Sequence, residues 1–336
     1  MRDVARLAGV SVATVSAVVN GSSIVRPERA EKVRRAMEIL DYHADQIARS
    51  LKTGRTNVIG MVIPDVTNAF YPEVIMGAEE VAREAHYSVI LCNANEDPEQ
   101  EQRHLNTLFS HRVDGVLICC SDSSIPFDRL IRRRFPIVCF DRVPPGFQGN
   151  SVSTDNATAG YEATRHLIEL GHRRIAILAG RVELSTHASR LEGFRRAMQE
   201  AGLPVLDEYC HVGGMSAEDG SQFGKTLLRL PCPPSAVFCS NNKVLLGFIR
   251  TMNEWGVRCP KQISIVGFDD FAWTDNYRPR LTTIAQPTTE LGRRAMQLLF
   301  EEIESAREGR VVEHRRLLLK PELRIRESTA RNATNK

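Results

Sequence analysis

The sequence predicts a small all-α head followed by an α/β body built of two doubly wound units. Three observations carry that reading. A pair of short amphipathic runs is separated only by a turn at Gly9-Val10. From Val58 onward, short and nearly continuous apolar runs alternate with stretches of helical spacing. Charge is split as well: residues 1–56 hold ten basic side chains against six acids, a balance of +4, although the whole chain is only +3. With 336 residues and 42% hydrophobic content, the chain is long enough for two or three domains with sizeable cores.

In the head, Val4, Leu7 and Ala8 share one helical face, and Ser11 is a good N-cap for a second helix carrying Val15, Val18 and Val19. So short a turn demands two crossed helices. That is the helix-turn-helix pattern, whose second helix lies in the major groove of DNA. Asn20-Gly21, tolerant of left-handed backbone, ends it. A third helix starts at Pro27, with Glu28 and Glu31 in its first turn. Its Ala30, Val33, Met37 and Leu40 are expected to close a core with Val4, Leu7 and Val15. Residues 45–52 have helical character but are too few to hold a helix alone in water. Their order should depend on a partner or on DNA. A basic head suits phosphate contact.

The body's apolar runs lie at 58–63, 89–92, 116–119, 137–140, 175–179, 236–239 and 263–268. Runs of this kind are buried on both faces, as parallel strands are. Helical patterns fall between them at 72–86, 98–111, 157–170, 188–201, 218–230 and 243–255. So many strands suit two doubly wound layers better than one. Ligands in such folds sit beyond the carboxyl ends of the strands. Asp65, Asn68 to Tyr71, Ser121, Asp141-Arg142, Asn241-Asn242, Asp269-Asp270 and Trp273 lie there. Each polar group alone could be a helix cap. Together they predict a cleft for a hydroxyl-rich molecule, which carboxylates and amides bind through hydrogen bonds and aromatic faces cover.

Other classes find no support. The eight cysteines lack metal-ligand spacing, and Cys92, Cys139 and Cys239 sit in or beside apolar runs as small hydrophobes. A reduced, cytoplasmic chain without metal or cofactor is expected. No apolar stretch is long enough to span a membrane. Phosphate-binding, dinucleotide-binding, nucleophile-elbow and zinc-protease motifs are all missing, so no enzyme is predicted. His172 reads as a helix-end cap and Arg132-Arg133-Arg134 as a solvated helix terminus.

Taken in order, the motifs resemble the LacI/GalR (lactose-repressor) family of bacterial transcription regulators over nearly the whole chain. The head carries Asp3-Val4-Ala5, Ala8-Gly9-Val10-Ser11, Thr14-Val15-Ser16, Val19-Asn20 and Ala48-Arg49-Ser50-Leu51-Lys52. The body adds Pro64-Asp65, Asn68-Ala69-Phe70-Tyr71, Arg112-Val113-Asp114-Gly115 and Leu170-Gly171-His172-Arg173-Arg174. Arg190-Leu191-Glu192-Gly193-Phe194, Val266-Gly267-Phe268-Asp269-Asp270 and Leu281-Thr282-Thr283-Ile284 follow. The resemblance implies a DNA-binding head at 1–44, a hinge helix and linker at 45–56, and an effector-binding and dimerisation body at 57–330. It also implies a body like a periplasmic sugar-binding protein. One subdomain would span 57–155 and 288–315, the other 156–286 and 316–330. The expected function is a repressor that binds a palindromic operator as a homodimer under control of a sugar-like effector. The alternative class is a cytosolic sugar-binding protein or sugar-acting enzyme with a non-functional head.

Residue by residue, the resemblance implies DNA contacts from Ser11, Val12, Ala13, Thr14, Ser16, Ala17, Asn20, Ala48, Leu51 and Lys52. Leu51 would be the wedge between base steps. It implies effector contacts from Phe70, Tyr71, Ser123, Asp141, Thr186, Arg190, Met215, Asn241 and Asp269, with Trp273 as a stacking face. Arg190 and Asp269 would grip ring hydroxyls. Several departures stand out. Met1-Arg2-Asp3 lacks the residues that usually precede the first helix, so either a poorly capped helix or a true start upstream of Met1 is expected. Asn242 stands where an Asp is common, and the tail lacks the leucine heptads of a tetramerising zipper. At the base-reading positions, Val12, Ala13 and Ala17 replace long polar groups.

Overall fold

In the computed structural model, which describes residues 1–19, 24–42, 55–121, 135–310 and 313–332, the head opens with α1 (Arg2–Ala8). Met1, its N-cap, gives no side-chain cap bond. Gly9 ends the helix in the left-handed conformation, φ 65°, which only glycine adopts without cost. α2 (Val12–Val19) begins where Ser11 Oγ accepts the Thr14 amide at 3.1 Å, and α3 (Pro27–Ile39) follows. Val4, Val15 and Val33 are fully enclosed where the three helices meet, with Ala5 and Ala36 beside them. Two expected core members stay outside. Leu7 is 50% exposed because α1 turns its Val4-Ala5-Ala8 edge inward, and Leu40, 42% exposed, falls at the helix end. Asn20 and the segment 45–52 lie outside the described residues.

Met1–Thr56 and Asn57–Lys336 form separate units. The second unit is two six-stranded sheets of matching topology. The first sheet holds β1 (Val58–Ile63), β2 (Ser88–Asn93), β3 (Gly115–Ile118), β4 (Ile137–Phe140), β5 (Asn150–Thr154) and β11 (Arg316–Leu319), in the order β11-β5-β4-β3-β1-β2. The second holds β6 (Ile175–Gly180), β7 (Cys210–Val212), β8 (Ala236–Cys239), β9 (Ser264–Phe268), β10 (Thr282–Ala285) and β12 (Glu322–Arg324), in the order β12-β10-β9-β8-β6-β7. All described pairings are parallel except β12 against β10.

Helices cover both faces of each sheet. α4 (Phe70–Glu84) and α11 (Thr288–Arg307) pack on one face of the first, and α5 (Pro98–Ser110) on the other. On the second sheet, α6 (Asn156–Glu169) and α7 (Ser185–Glu200) oppose α8 (Ala217–Leu228) and α9 (Asn242–Glu254). Alternate residues of one strand serve the two layers: Ile175, Ile177 and Ala179 face α6 and α7, while Ala176 and Leu178 face the others. Among the described residues no helix is long and apolar enough to cross a membrane.

The final strands correct the expectation that both belong to the second subdomain. β11 runs parallel to β5 in the first sheet, with Leu317 and Leu319 on its core and Leu318 outside; only β12 joins the second. The chain therefore passes between the subdomains three times: between β5 and α6, between β10 and α11, and between β11 and β12. His172 also does more than cap a helix. Its buried ring bonds Ser235 Oγ at 2.9 Å and the Ala330 carbonyl at 3.0 Å, fastening the last segment to the second sheet.

Three helix pairs touch backbone to backbone through reciprocal glycines. A Cβ on Gly160 of α6 would strike the Arg190 carbonyl of α7, and one on Gly193 the Ala157 carbonyl in return. Gly220 and Gly247 do the same for α8 and α9, meeting Val244 and Ala217. Gly77 and Gly292 do so for α4 and α11, meeting Thr289 and Val74. Alanine normally favours a helix interior over glycine by about 1 kcal/mol. Here overpacking, about 1–3 kcal/mol, should outweigh that gain. Gly160→Ala and Gly247→Ala are each expected to lower the urea midpoint accordingly; an unchanged or raised midpoint would show that these helices can move apart freely.

Candidate functional site

Phe-Asp follows the fourth strand of each topological repeat: Phe140-Asp141 after β4, Phe268-Asp269 at the end of β9. Both aspartates take left-handed backbone, φ 57° and 69°, which a non-glycine residue holds only where surrounding structure enforces it. That turn directs both carboxylates into one buried cluster with Arg190 of α7, and each is held above the usual carboxylate range by burial. Burial also draws the Arg190 guanidinium down to about 10, against the pull of Asp269 and Asp141. It remains protonated at neutral pH.

The cluster is tightly wired on one side and open on the other. Arg190 Nε donates to Asn156 Oδ1 and Nη1 to the Ser240 carbonyl, both at 2.7 Å. Its Cζ lies 3.4 Å from the centre of the Phe268 ring, a cation–π contact. Asp269 accepts from Asn242 Nδ2 and Gln286 Nε2, both at 2.6 Å. Asp141 Oδ2 receives only a long contact from Cys119 Sγ, 3.8 Å. Among the described residues, Asp141 Oδ1, Gln286 Oε1 and His187 Nδ1 are buried without a hydrogen-bond partner. Burial and the charges of Arg190 and Arg142 push the His187 pKa well down, so the ring is neutral. Unpaired buried polar atoms cost about 1–3 kcal/mol each, so these three, grouped near Arg190, call for partners.

The subdomains meet around this cluster. Asn242 Nδ2 also donates to Asn68 Oδ1 at 3.0 Å, and Lys243 Nζ bonds Asp65 and, at 3.3 Å, Thr67. The Val143 amide donates to Ser185 Oγ at 3.1 Å, tying the loop after β4 to the start of α7. Arg142 is buried beside Asp141, where its charge opposes the effect of burial more strongly than that of Arg190, and it makes a bidentate pair with Glu96, 2.7 and 2.9 Å.

Of the residues singled out from sequence, Asp141, Arg190 and Asp269 come together. Phe70 and Tyr71 are buried at the start of α4, edge to face at 5.1 Å, with the Tyr71 hydroxyl 3.4 Å from Cys119 Sγ. Thr186 is buried beside His187 in the first turn of α7. Met215 is half-buried, its amide bonded to Asp219 at 3.0 Å. Asn241 spends its side-chain oxygen capping α9, at 2.9 and 3.1 Å to the Lys243 and Val244 amides. Trp273, in α10 (Ala272–Asn276), packs against the core between the second sheet and α8 and α9, while the ring against the charged cluster is that of Phe268. Ser123 lies outside the described residues. Sequence reasoning missed Asn156, His187 and Gln286. Gln286 and Asn156 stand at chain passages between subdomains, a position that only the topology reveals.

In the head, Ser11, Val12 and Ala13 are exposed at the start of α2, and Thr14, Ser16 and Ala17 are half-buried along it. The Thr14 and Ser11 hydroxyls bond each other at 2.9 Å. Ala48, Leu51 and Lys52 lie outside the described residues.

Comparison with known proteins gives the same division. The model for "Bacterial regulatory proteins, lacI family" matches residues 1–45, and that for "Periplasmic binding proteins and sugar binding domain of LacI family" matches 56–321. The HTH-type transcriptional repressor PurR of Haemophilus influenzae (strain PittEE) is 38% identical over 330 residues, covering 98% of both chains. PurR of Pasteurella multocida (strain Pm70) is 37% identical with the same coverage. Among solved structures, the lac repressor dimer bound to operator and the anti-inducer ONPF superposes with TM-score 0.85 at 27% identity, over 98% of both chains. The transcriptional regulator CelR in complex with cellobiose gives 0.74 at 30%, over 97% of this chain and 98% of the other.

Proposed function

This chain belongs to the LacI family of bacterial transcription regulators, and we propose that it represses transcription from a palindromic operator as a homodimer, governed by a sugar or sugar derivative in the cleft. The observation that carries the effector class is the set of unpartnered buried atoms, Asp141 Oδ1, Gln286 Oε1 and His187 Nδ1, around Arg190. Two of them accept only. A sugar hydroxyl donates to such an acceptor and accepts from a guanidinium in the same position, so adjacent ring hydroxyls satisfy the whole set. CelR, a relative of known structure, binds cellobiose.

The dimer reading draws on apolar exposure. Met76 on α4 is 60% exposed, and Ile90 and Leu91 on edge strand β2 are 41% and 42% exposed. Exposed apolar groups on a helix and an adjoining sheet edge suit a second copy of the chain. For DNA, Val12 and Ala13 touch thymine methyl groups, while Thr14, Ser16 and Asn20 serve phosphates or single hydrogen bonds. In this reading Leu51 opens a deformable step at the operator centre, with Ala48 and Lys52 as further DNA contacts.

Two outcomes test this reading. Asp269→Ala and Arg190→Ala each remove a charged partner from a buried set, worth about 1–3 kcal/mol or more. A calorimetric panel of sugars and sugar acids should identify a ligand that binds the wild type and binds either variant at least tenfold more weakly, with operator affinity kept. Wild-type affinity in both variants would move the effector elsewhere. Selection from a randomised operator should return two half-sites with a strongly preferred flexible centre and relaxed preference opposite Ala17, since alanine makes no bidentate base contact. A strict guanine requirement opposite Ala17 would show a different docking of α2.

A further inference from the structure

The second sheet has a cavity at the end opposite the cleft, beside the amino-terminal starts of β6, β8 and β9. It encloses about 480 Å³, within the range of small-molecule sites. Its lining holds Arg174, Lys261 and Arg331 and no acidic residue. Among the described residues none of these three cations has a carboxylate partner.

Each cation stands on fixed backbone. Arg174 lines the cavity and is held by its own Nε, which donates to the Pro233 carbonyl at 3.2 Å. Lys261 sits in a turn closed twice, by the Gln262 amide to the Arg258 carbonyl and the Arg258 amide to Gln262 Oε1, both at 2.8 Å. Arg331 lies between two anchored neighbours: the Ala330 amide bonds Ser264 Oγ at 3.1 Å, and the Asn332 amide bonds the Leu170 carbonyl at 2.9 Å. Beneath them, the buried ring of His172 is held neutral by desolvation, between Ser235 and Ala330.

The remaining wall is flat and apolar. Trp255, 40% exposed at the end of α9, lines the cavity alongside Pro233 and Pro234, with the Arg229 guanidinium 5.4 Å from its ring centre. Three unpaired cations recognise a phosphate dianion through charge-assisted hydrogen bonds, the arginines in forked geometry. The indole, with Arg229 on one side, recognises a flat ring through its other face. We propose that this cavity is a second ligand site, separate from the cleft, for an aromatic phosphate of the nucleoside monophosphate class.

The chain has two tryptophans, Trp255 and Trp273, so indole fluorescence reports on the site. Titration of the full-length protein with AMP or UMP should quench the emission saturably, and Trp255→Phe should abolish the quench. Adenosine and inorganic phosphate should each bind at least tenfold more weakly than AMP, because each keeps half of the recognition. Arg331→Glu, on the surface and remote from both cores, should cost tenfold or more, as loss of a charge-assisted bond does. Asp269→Ala should leave AMP affinity within about twofold, since residues more than about 7–10 Å apart act independently. The proposal is overturned by no saturable binding of either nucleotide, by adenosine or phosphate binding as tightly as AMP, by an unaffected Arg331→Glu variant, or by loss of binding in Asp269→Ala.

Discussion

The body depends on six glycines that let helices meet with no side chain between them. Each doubly wound layer must bring a helix pair down onto its sheet, and the pairs α6–α7, α8–α9 and α4–α11 do so with carbonyl oxygens where a Cβ would otherwise stand. Interiors packed at this density transmit small displacements rather than absorbing them. The contact between Gly160 and the Arg190 carbonyl fixes the residue at the centre of the cleft by its own backbone. Gly247 similarly sets the depth of α9, whose first residue, Asn242, reaches Asp269.

On that frame the two topological repeats present matching chemistry. Asp141 and Asp269 leave their strands through the same left-handed turn and share the Arg190 guanidinium, but Asp141 also has Arg142 beside it, and their hydrogen-bond partners differ. Asp269 accepts one amide hydrogen bond on each oxygen, whereas among the described residues Asp141 keeps one oxygen unpaired. One subdomain thus holds a carboxylate oxygen with no described partner, and the other a carboxylate already bonded on both oxygens. Asn242 has a further consequence. Its single amide nitrogen donates to Asp269 and, across the cleft, to Asn68. An aspartate there would oppose Asp269 with a second negative charge, so the asparagine lets the subdomains approach without a proton or a cation to compensate.

Much of the fold was legible in sequence because its central strands are apolar on both faces and its helices amphipathic. What escaped shares a physical reason. β5, Asn150–Thr154, is polar yet buried, because Asn150 exchanges hydrogen bonds at 2.6 Å with Glu302 and with the Arg315 amide. Its partner is remote in sequence, so no local pattern marks it as a strand. β11 looks like a continuation toward β12, and only its pairing assigns it to the first sheet. In the cleft the charged residues stood out, whereas the amides of Asn156 and Gln286 gain importance only where the chain passes between subdomains. Asn241 shows the converse. Its position past a strand suggested a ligand contact, and local geometry turned its oxygen into a helix cap.

A crystal structure of the protein with the strongest ligand from a sugar panel tests the central claim most directly, because that claim specifies atoms. Hydroxyl oxygens are expected within hydrogen-bond distance, about 2.5–3.0 Å, of Asp141 Oδ1 and Gln286 Oε1, with Arg190 between them. A ligand that left both oxygens unpaired, or that lay outside the cleft, would contradict it.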